Sequence, residues 1–168
     1  MLHEDARAYL EKTRERFDLI VVDLPEPLEE GPACLLFTTE FYGLIRDRLT
    51  DDGVMTMQAG MTKINELFFF GAVNRTLREV FPVVAPYQGF ISCFGTPWGF
   101  ILASKGTDPR AQTARDIDRL IASRMNPDSL GYWNGAAHLH SFNLPKFLTQ
   151  ALDKNTRIIT DKHPLIVS

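Results

Sequence analysis

The fold class is decided by residues 17–27, which read FDLIVVDLPEP. Residues 19–22 are a continuous apolar run rich in β-branched side chains, and Asp23 follows directly. A strand without alternating polar residues is typical of a sheet that is covered on both faces, and such sheets are usually parallel. Because proline lacks the N–H that a strand or helix interior needs, residues 25–32 are predicted to form a loop. We therefore predict a buried parallel strand that ends at Asp23.

The segments around this strand alternate between helical and extended patterns. Apolar spacing and capping residues predict helices over residues 5–16, 40–49, 62–80, 108–124 and 144–152, with Thr39 as the N-cap of the second. Strands are predicted over residues 54–58, 83–87 and 98–103, and a turn over residues 51–53 precedes the first of these. The last two strands are consecutive, so we expect an antiparallel pair at one edge of a parallel sheet. This order predicts an α/β fold.

The composition excludes several classes of protein. The chain has 168 residues, of which 45% are hydrophobic and 23% charged, which is typical of a globular domain rather than a disordered or fibrous one. The net charge of −3 disfavours nucleic acid as the main partner, because phosphate binding favours an excess of basic residues. No stretch approaches the roughly 18–20 apolar residues of a membrane span. Two cysteines, Cys34 and Cys93, are too few for a disulfide framework, and we expect a cytoplasmic protein.

Acidic residues cluster where the predicted strands end. Asp23 and Gln58 each end a strand, and ligand sites in such sheets lie at the carboxyl ends of the strands. Asp23 is expected to be partly desolvated and able to bind a cation or accept a proton, with a turn or capping role as the alternative. Glu29 and Glu30 are interpreted as a solvated acidic loop. An acidic mouth lined by aromatic residues suits a polyamine, because carboxylates pair with its ammonium groups and apolar walls contact its methylenes.

Four blocks of sequence, in order, resemble one enzyme family. They are the pair Asp5-Ala6, residues 23–49 (DLPEPLEEGPACLLFTTEFYGLIRDRL), residues 53–60 (GVMTMQAG) and residues 92–104 (SCFGTPWGFILAS). The longer blocks resemble the D-x-x-D/E-P, G-P-A and E-F-Y motifs, the Q-x-G segment and the W-G-F/W segment of the spermidine/spermine synthases, which are aminopropyltransferases. The stretch from Phe94 to Trp98 is similar to the branch that acts on longer amines, the thermospermine synthases.

The resemblance implies a role in polyamine biosynthesis. The family moves an aminopropyl group from decarboxylated S-adenosylmethionine to putrescine, spermidine or a related amine and releases methylthioadenosine. Asp23 would then hold and deprotonate the attacking amine, because an alkylammonium with a pKa of about 10 has no lone pair with which to attack. The donor is a co-substrate, so the resemblance implies no permanently bound cofactor and no metal.

The resemblance also implies the other residues of the site. The residues implied for the amine are Glu26, Gln58, Tyr87, Phe94 and Trp98, with plain core packing as the alternative for the three aromatic residues. Those implied for the donor are Asp5 and Ala6 at the adenine amino group and Leu24, Pro27, Pro32 and Ala33 against the adenine ring. The implied fold is half of a Rossmann-like sheet of the class I methyltransferase type, with parallel strands, an antiparallel pair at one edge and flanking helices.

Parts of the family pattern do not occur in this sequence. The family begins with a small β-rich domain and has a glycine-rich G-G-G-D/E-G turn, and residues 1–168 contain neither. We therefore expect a single domain, the C-terminal part of an aminopropyltransferase catalytic domain, with one edge of its first strand unpaired. The expected partner is a second copy or the missing N-terminal half, and we expect the isolated chain to be weakly active or inactive.

Two other functions remain open from the sequence. A methyltransferase of the same sheet architecture would use intact S-adenosylmethionine, whose carboxylate Asp23 and Glu26 should repel. A non-catalytic subunit would bind polyamine or pair with a full-length enzyme, and its effect would survive the substitution Asp23→Asn.

Overall fold

A mixed sheet lies at the centre of the molecule. The computed structural model describes residues 3–27 and 32–166, and within them the strands are β1 (Phe17–Val22), β2 (Leu49–Met61), β3 (Val83–Ile91) and β4 (Thr96–Ser104). The helices of the same residues are α1 (Ala6–Lys12), α2 (Thr39–Arg48), α3 (Phe68–Leu77), α4 (Ala114–Arg124), α5 (Gly135–Phe142) and α6 (Lys146–Lys154). Short 3₁₀ helices cover Pro32–Leu36, Pro109–Ala111 and Pro127–Ser129.

The strands lie in the order β1-β2-β4-β3. β1 and β2 are parallel, with Val22 opposite Met57. β4 runs antiparallel to both of its neighbours, so that Ile101 lies opposite Met57 of β2 and Pro86 of β3. The hairpin of β3 and β4 therefore joins β2 through β4, and β3 is the outer strand of the sheet. These pairings confirm the predicted α/β fold with parallel strands and an antiparallel pair at one edge.

Strand β1 is less buried than its apolar sequence predicts. The side chains of Leu19 and Val21 are 55% and 62% exposed, whereas Val22 is buried. Among the described residues β1 pairs with β2 alone, so it is an edge strand and one of its sides offers unpaired backbone groups. The prediction that this strand is covered on both faces is wrong for the part of the chain that the structure describes.

The first two helices differ slightly from prediction. α1 ends at Lys12 instead of residue 16, because Thr13 adopts an extended backbone. α2 begins one residue earlier than predicted, because Thr38 and not Thr39 is its N-cap. The Thr38 hydroxyl accepts a hydrogen bond from the Phe41 N–H at 3.2 Å, which satisfies a donor that the helix itself cannot pair.

The turn predicted at residues 51–53 lies inside β2. Phe17 is opposite Leu49 whereas Leu19 is opposite Val54, so the additional residues of β2 form a bulge. A Cβ atom on Gly53 would lie 2.8 Å from the Phe17 carbonyl oxygen, so the bulge packs closely on β1. β2 is therefore much longer than the predicted strand over residues 54–58.

The helix predicted at residues 62–80 begins only at Phe68. Residues before it form a turn in which the Glu66 N–H donates to the Lys63 carbonyl oxygen at 2.9 Å. The helix predicted at 108–124 is divided, because Thr113 and Asp116 form a reciprocal capping box that starts α4 anew. The helix predicted at 144–152 begins two residues later, at Lys146.

Helix α5 has no counterpart among the predicted elements. Its first residue is Gly135, which disfavours a helix on propensity alone. The side chain of Asn134 accepts a hydrogen bond from the Ala137 N–H at 2.8 Å, and this N-cap is the signal that could have identified the helix.

The apolar core joins the sheet to the helices packed on it. It contains nearly inaccessible residues from β2, β4, α2, α3 and α6 and from the segment before α2. The largest fully buried side chains include those of Phe37, Tyr42, Ile45, Leu49, Met55, Met57, Phe70, Leu77, Ile101 and Leu148. Val22 of β1 and Met57 of β2 belong to this core, so it fixes the carboxyl ends of both strands, where the predicted site lies.

An ion pair joins α1 to the C-terminal segment. Arg7 Nη1 and Nη2 donate to Asp161 Oδ1 and Oδ2 at 2.9 Å and 2.5 Å, and Nη1 also donates to the Leu35 carbonyl oxygen at 3.2 Å. The hydrogen bond from Arg7 lowers the pKa of the Asp161 carboxyl below its ordinary value. These contacts fix α1, which begins at Ala6, against two distant parts of the chain.

Candidate active site

Two cavities meet at the carboxyl end of β1. The helix-side cavity, of about 570 Å³, lies among α1, β1 and α2, and its lining includes Ala6, Leu10 and Phe41. The aromatic cavity, of about 640 Å³, is lined by Asp23, Leu24, Pro25, Glu26, Gln58, Met61, Ile91, Phe94, Trp98 and Phe100. Asp23 and Leu24 line both cavities. The loop that follows β1 therefore separates two spaces of ligand size.

Asp23 lies at this junction with an exposed side chain. The expectation that it is partly desolvated is wrong for the chain as it stands, although its place beside both cavities agrees with a ligand-facing role. Its position follows from β1, whose last residue, Val22, is buried and pairs with Met57. The strand thus fixes Val22, whereas the carboxylate of Asp23 is exposed to solvent.

The aromatic residues of this cavity come from the hairpin of β3 and β4. The rings of Phe94 and Trp98 lie 4.7 Å apart between centroids, and Phe94 is 58% exposed. Trp98 and Phe100 are two residues apart on β4, so their side chains point to the same face of the sheet. Sequence reasoning identified Phe94 and Trp98 and missed Phe100, which this alternation could have identified.

The side chain of Gln58 is bound within the protein. Its Nε2 atom donates a hydrogen bond to the Leu24 carbonyl oxygen. Its Oε1 atom accepts from the Gly60 N–H at 3.0 Å and from the Trp98 indole N–H at 2.9 Å. The predicted proximity of Gln58 to the acidic loop is therefore confirmed, and the partners of its amide belong to three separate segments.

Glu26 is half-buried beside the same cavity. Burial raises the pKa of its carboxyl above the ordinary value for glutamate, and the negative charge of Glu66 raises it further. The carboxylate packs against the backbone at Gly60, where a Cβ atom would lie 2.7 Å from Glu26 Oε1. A positively charged ligand group in the cavity would relieve this unfavourable environment of the ionised carboxylate.

Gly60 connects this arrangement to the stability of β2. Its φ of +84° is in the left-handed region, and a Cβ would also come 2.9 Å from Phe69 Cδ1. Gly95 has a φ of +62° with nothing within 4 Å of its Cβ position, which makes it a matched control. We expect Gly60→Ala and Gly95→Ala each to lose about 1–2 kcal/mol of unfolding free energy from backbone strain. Gly60→Ala should lose about 1 kcal/mol more from overlap, and equal losses in urea unfolding would contradict this account.

The residues predicted to bind the donor are only partly brought together. Ala6 and Leu24 line the helix-side cavity. Asp5 is the N-cap of α1, where its carboxylate accepts a hydrogen bond from the Ala8 N–H at 2.7 Å. Pro27 is buried and Ala33 is half-buried, and neither is among the residues that line the two cavities. The side chain of Pro32 and residues 28–31, which include Glu29 and Glu30, lie outside the described part of the chain.

Tyr87 lies one layer away from the aromatic cavity. Its ring stacks on Phe100 at 5.3 Å and packs on Phe142 at 5.0 Å, and its hydroxyl is hydrogen-bonded to the Thr56 hydroxyl at 2.9 Å. Burial raises the pKa of this hydroxyl above its ordinary value. Tyr87 thus supports a wall residue, which matches the core-packing alternative more closely than direct contact with a ligand.

The helix-side cavity also contains residues that sequence reasoning missed. Glu4, which precedes α1, and Tyr9 within α1 line it, and the exposed Leu19 and Val21 line it from β1. The apolar face predicted for α1 was the available signal for Tyr9. A ligand in this cavity could therefore contact a carboxylate as well as apolar side chains.

Neither a membrane helix nor a metal centre is found in residues 3–27 and 32–166. No helix there is long and apolar enough to cross a bilayer, and no three His, Cys, Asp or Glu side chains are grouped so that they could hold a metal ion. His138 is buried on α5, where its Nε2 is hydrogen-bonded to the Pro109 carbonyl oxygen at 2.8 Å.

Comparison with known proteins gives the family. The spermine/spermidine synthase domain model matches residues 1–113, which include the whole acidic loop, Gln58 and both walls of the aromatic cavity. The chain belongs to the spermine/spermidine synthase family. The resemblance seen in the separate sequence blocks is thereby confirmed.

Relatives within the spermine/spermidine synthase family match nearly all of this chain. It is 33% identical to polyamine aminopropyltransferase 2 of Hyperthermus butylicus over 163 residues, which are 97% of this chain and 53% of the relative. It is also 33% identical to thermospermine synthase ACAULIS5 of Arabidopsis thaliana, covering 95% of this chain and 47% of that protein. A crystal structure of a spermidine synthase in complex with the transition-state analogue AdoDATO aligns with a TM-score of 0.69 and 30% identity, covering 88% of this chain and 46% of that one. The chain spans about half the length of the curated relatives that it matches.

Proposed function

We propose that this chain carries the amine-binding part of an aminopropyltransferase of polyamine biosynthesis. Decarboxylated S-adenosylmethionine occupies the helix-side cavity in this proposal, and putrescine, spermidine or a related amine occupies the aromatic cavity. The observation that supports it most is the position of Asp23, which lines both cavities. A carboxylate at that junction can face the donor and the amine together.

Asp23 is proposed to bind the attacking amine as a cation and then to accept its proton. The freed lone pair of the nitrogen forms a bond to the aminopropyl carbon beside the donor sulfur, and the carbon–sulfur bond breaks. The electron pair of that bond goes to sulfur, which becomes the neutral thioether of methylthioadenosine. Orientation of the two substrates for in-line attack lowers the barrier by several kcal/mol in reactions of this kind.

The rest of the amine is proposed to lie along the aromatic cavity. Glu26 pairs with an ammonium group, and the rings of Phe94 and Trp98 contact the methylenes and attract the cationic groups. A cavity with both charged and aromatic side chains fits a polyamine, which carries ammonium groups separated by apolar methylene chains. It also explains why a half-buried carboxylate with a raised pKa lines the same cavity as three aromatic side chains.

The unpaired edge of β1 is proposed to be where a further segment completes the site, since the relatives are about twice as long as this chain. Leu19 and Val21 lie at this edge and line the helix-side cavity. A strand paired with β1 would cover them and close the cavity proposed for the donor. We therefore expect this chain alone to transfer aminopropyl groups weakly or not at all.

The experiment that tests the function compares donors and amines. Calorimetry should detect spermidine binding, and decarboxylated S-adenosylmethionine should bind more tightly than the intact form, because Asp23 and Glu26 repel the extra carboxylate. Methylthioadenosine release should increase when the chain is mixed with the N-terminal half of the Hyperthermus butylicus relative. Tighter binding of the intact donor would instead favour a methyltransferase, and spermidine binding without any release would favour a non-catalytic subunit.

Glu26→Gln is expected to affect binding and stability in opposite directions. The mutant should bind spermidine about tenfold more weakly at pH 7, because it loses one charged hydrogen bond. It should also unfold at a higher temperature. Since the pKa of Glu26 is raised in the folded state, its ionisation destabilises the fold as pH rises through that pKa, and glutamine removes this cost.

The same reasoning gives a pH dependence and a control for Glu26→Gln. Spermidine affinity of the wild type should increase as pH rises through the raised pKa of Glu26, and this component should be absent in the mutant. Asp153→Asn, which removes an exposed charge from α6, should leave the affinity unchanged. A mutant that lost both affinity and thermal stability would indicate structural damage and contradict the proposed role.

A further inference from the structure

Gln58 links three segments that surround the aromatic cavity. Its Nε2 donates to the carbonyl oxygen of Leu24, the residue directly after Asp23. Its Oε1 accepts from the Gly60 N–H and from the indole N–H of Trp98, at 3.0 Å and 2.9 Å. One side chain therefore joins three segments: the residue pair that follows β1, the C-terminal part of β2, and β4.

The Gln58 side chain has no acceptor left for a ligand. An amide oxygen has two lone pairs, and here both accept hydrogen bonds from the protein. The Nε2 atom is a donor, and an ammonium group is a donor as well, so the two cannot pair. Direct binding of a protonated amine by Gln58 would require the loss of the Trp98 or the Gly60 hydrogen bond.

We propose that Gln58 is a positioning residue for Asp23 and that Trp98 is the partner that holds it in place. The inference rests on the proposed function, in which Asp23 accepts the proton of the attacking amine. The exposed Asp23 has little packing of its own to fix it. The hydrogen bond at the Leu24 carbonyl oxygen restrains the peptide that follows Asp23, and the indole N–H restrains the amide that makes this bond.

This arrangement gives Trp98 two separate tasks. Its ring is a wall of the aromatic cavity, and its N–H orients the Gln58 amide. Trp98→Phe removes the N–H and keeps an aromatic wall, so it isolates the second task. Gln58→Met removes every hydrogen bond of the amide at nearly constant length, whereas Gln58→Glu keeps an acceptor for Trp98 and loses the donor to Leu24.

The test uses amide and indole N–H signals of the isotopically labelled chain in solution. The chain has two tryptophans, Trp98 and Trp133, so Trp133→Phe both assigns the second indole signal and serves as the matched control. Gln58→Met is expected to speed hydrogen exchange of the Trp98 indole about tenfold, whereas Gln58→Glu should preserve its protection. Trp98→Phe, Gln58→Met and Gln58→Glu should all shift the backbone amide signals of Asp23, Leu24 and Glu26, and Trp133→Phe should not.

Added spermidine gives the second arm of the experiment. If Gln58 positions Asp23, the Trp98 indole stays protected from exchange when spermidine is bound; loss of protection would show that the amine takes over the Gln58 oxygen and would overturn the proposal. Unchanged signals of Asp23, Leu24 and Glu26 in folded Trp98→Phe would overturn it as well. Failure of spermidine to bind would count against the proposed function alone, because the comparison of variants needs no amine. If Gln58→Met does not fold, Gln58→Glu still tests the hydrogen bond to Leu24, because it should shift the amide signals of Asp23, Leu24 and Glu26 while the Trp98 indole stays protected.

Discussion

Asp23→Asn is expected to lower aminopropyl transfer by about two to four powers of ten. Asparagine has nearly the same shape, but it cannot accept the amine proton and carries no charge for the ammonium group. Methylthioadenosine release, measured with decarboxylated S-adenosylmethionine and spermidine, gives the rate for the chain supplemented with the N-terminal half of the Hyperthermus butylicus relative. In the chain alone the same change should weaken spermidine binding about tenfold, since it removes one charged hydrogen bond.

Asp18→Asn is the matched control for this substitution. Asp18 lies near the other end of β1, accepts a hydrogen bond from the Thr50 hydroxyl at 2.9 Å and lines neither cavity. It should retain normal transfer and normal spermidine affinity. Transfer by Asp23→Asn at the rate of Asp18→Asn would remove the basis of the proposed mechanism and would leave the non-catalytic subunit as the better explanation.

Gly135→Ala is expected to destabilise the fold by about 3 kcal/mol. A Cβ at this first residue of α5 would lie 2.0 Å from the Ala114 carbonyl oxygen, and backbone atoms of α4 cannot rotate away as a side chain can. Separation of the two helices would also break the hydrogen bond of 2.7 Å from the Gly135 N–H to Asp118 Oδ1. Thermal unfolding should show a decrease in Tm of roughly 6–12 °C for a chain of this size.

Gly131→Ala tests whether this effect comes from the close approach. Gly131 precedes α5 by four residues, and nothing lies within 4 Å of its Cβ position. Its alanine variant should unfold within about 1 kcal/mol of the wild type. Equal Tm values for the two variants would show that α4 and α5 are less closely packed than the structure indicates.

The sequence predicted the part of the site that depends on strand direction. Because parallel strands end at the same edge of a sheet, the positions of Asp23 and Gln58 could be inferred from two short apolar runs. The resemblance could place Phe94 and Trp98 at the aromatic cavity, although no local pattern distinguishes a cavity wall from a core residue. These inferences needed only neighbouring residues and the common direction of β1 and β2.

The rest depended on long-range pairing that no local pattern contains. The hydrogen bond from Trp98 to Gln58 exists because β4, and not β3, pairs with β2. The sequence of a β-hairpin does not reveal which of its two strands pairs with the rest of the sheet. The exposure of Leu19 and Val21 depends on what lies beside β1, whereas their sequence is that of a buried strand. The bulge at residues 51–53 follows from register, which turn-forming residues alone do not set.

The double use of Trp98 has an evolutionary consequence. Under the proposed function, a lineage that enlarges the aromatic cavity for a bulkier amine by replacing Trp98 with a smaller side chain also removes the donor to Gln58. Selection for a new substrate then acts on turnover as well as on fit, unless a compensating donor arises elsewhere on β4. Changes of substrate preference in such proteins should therefore tend to arise by paired substitutions, one at Trp98 and one near Gln58.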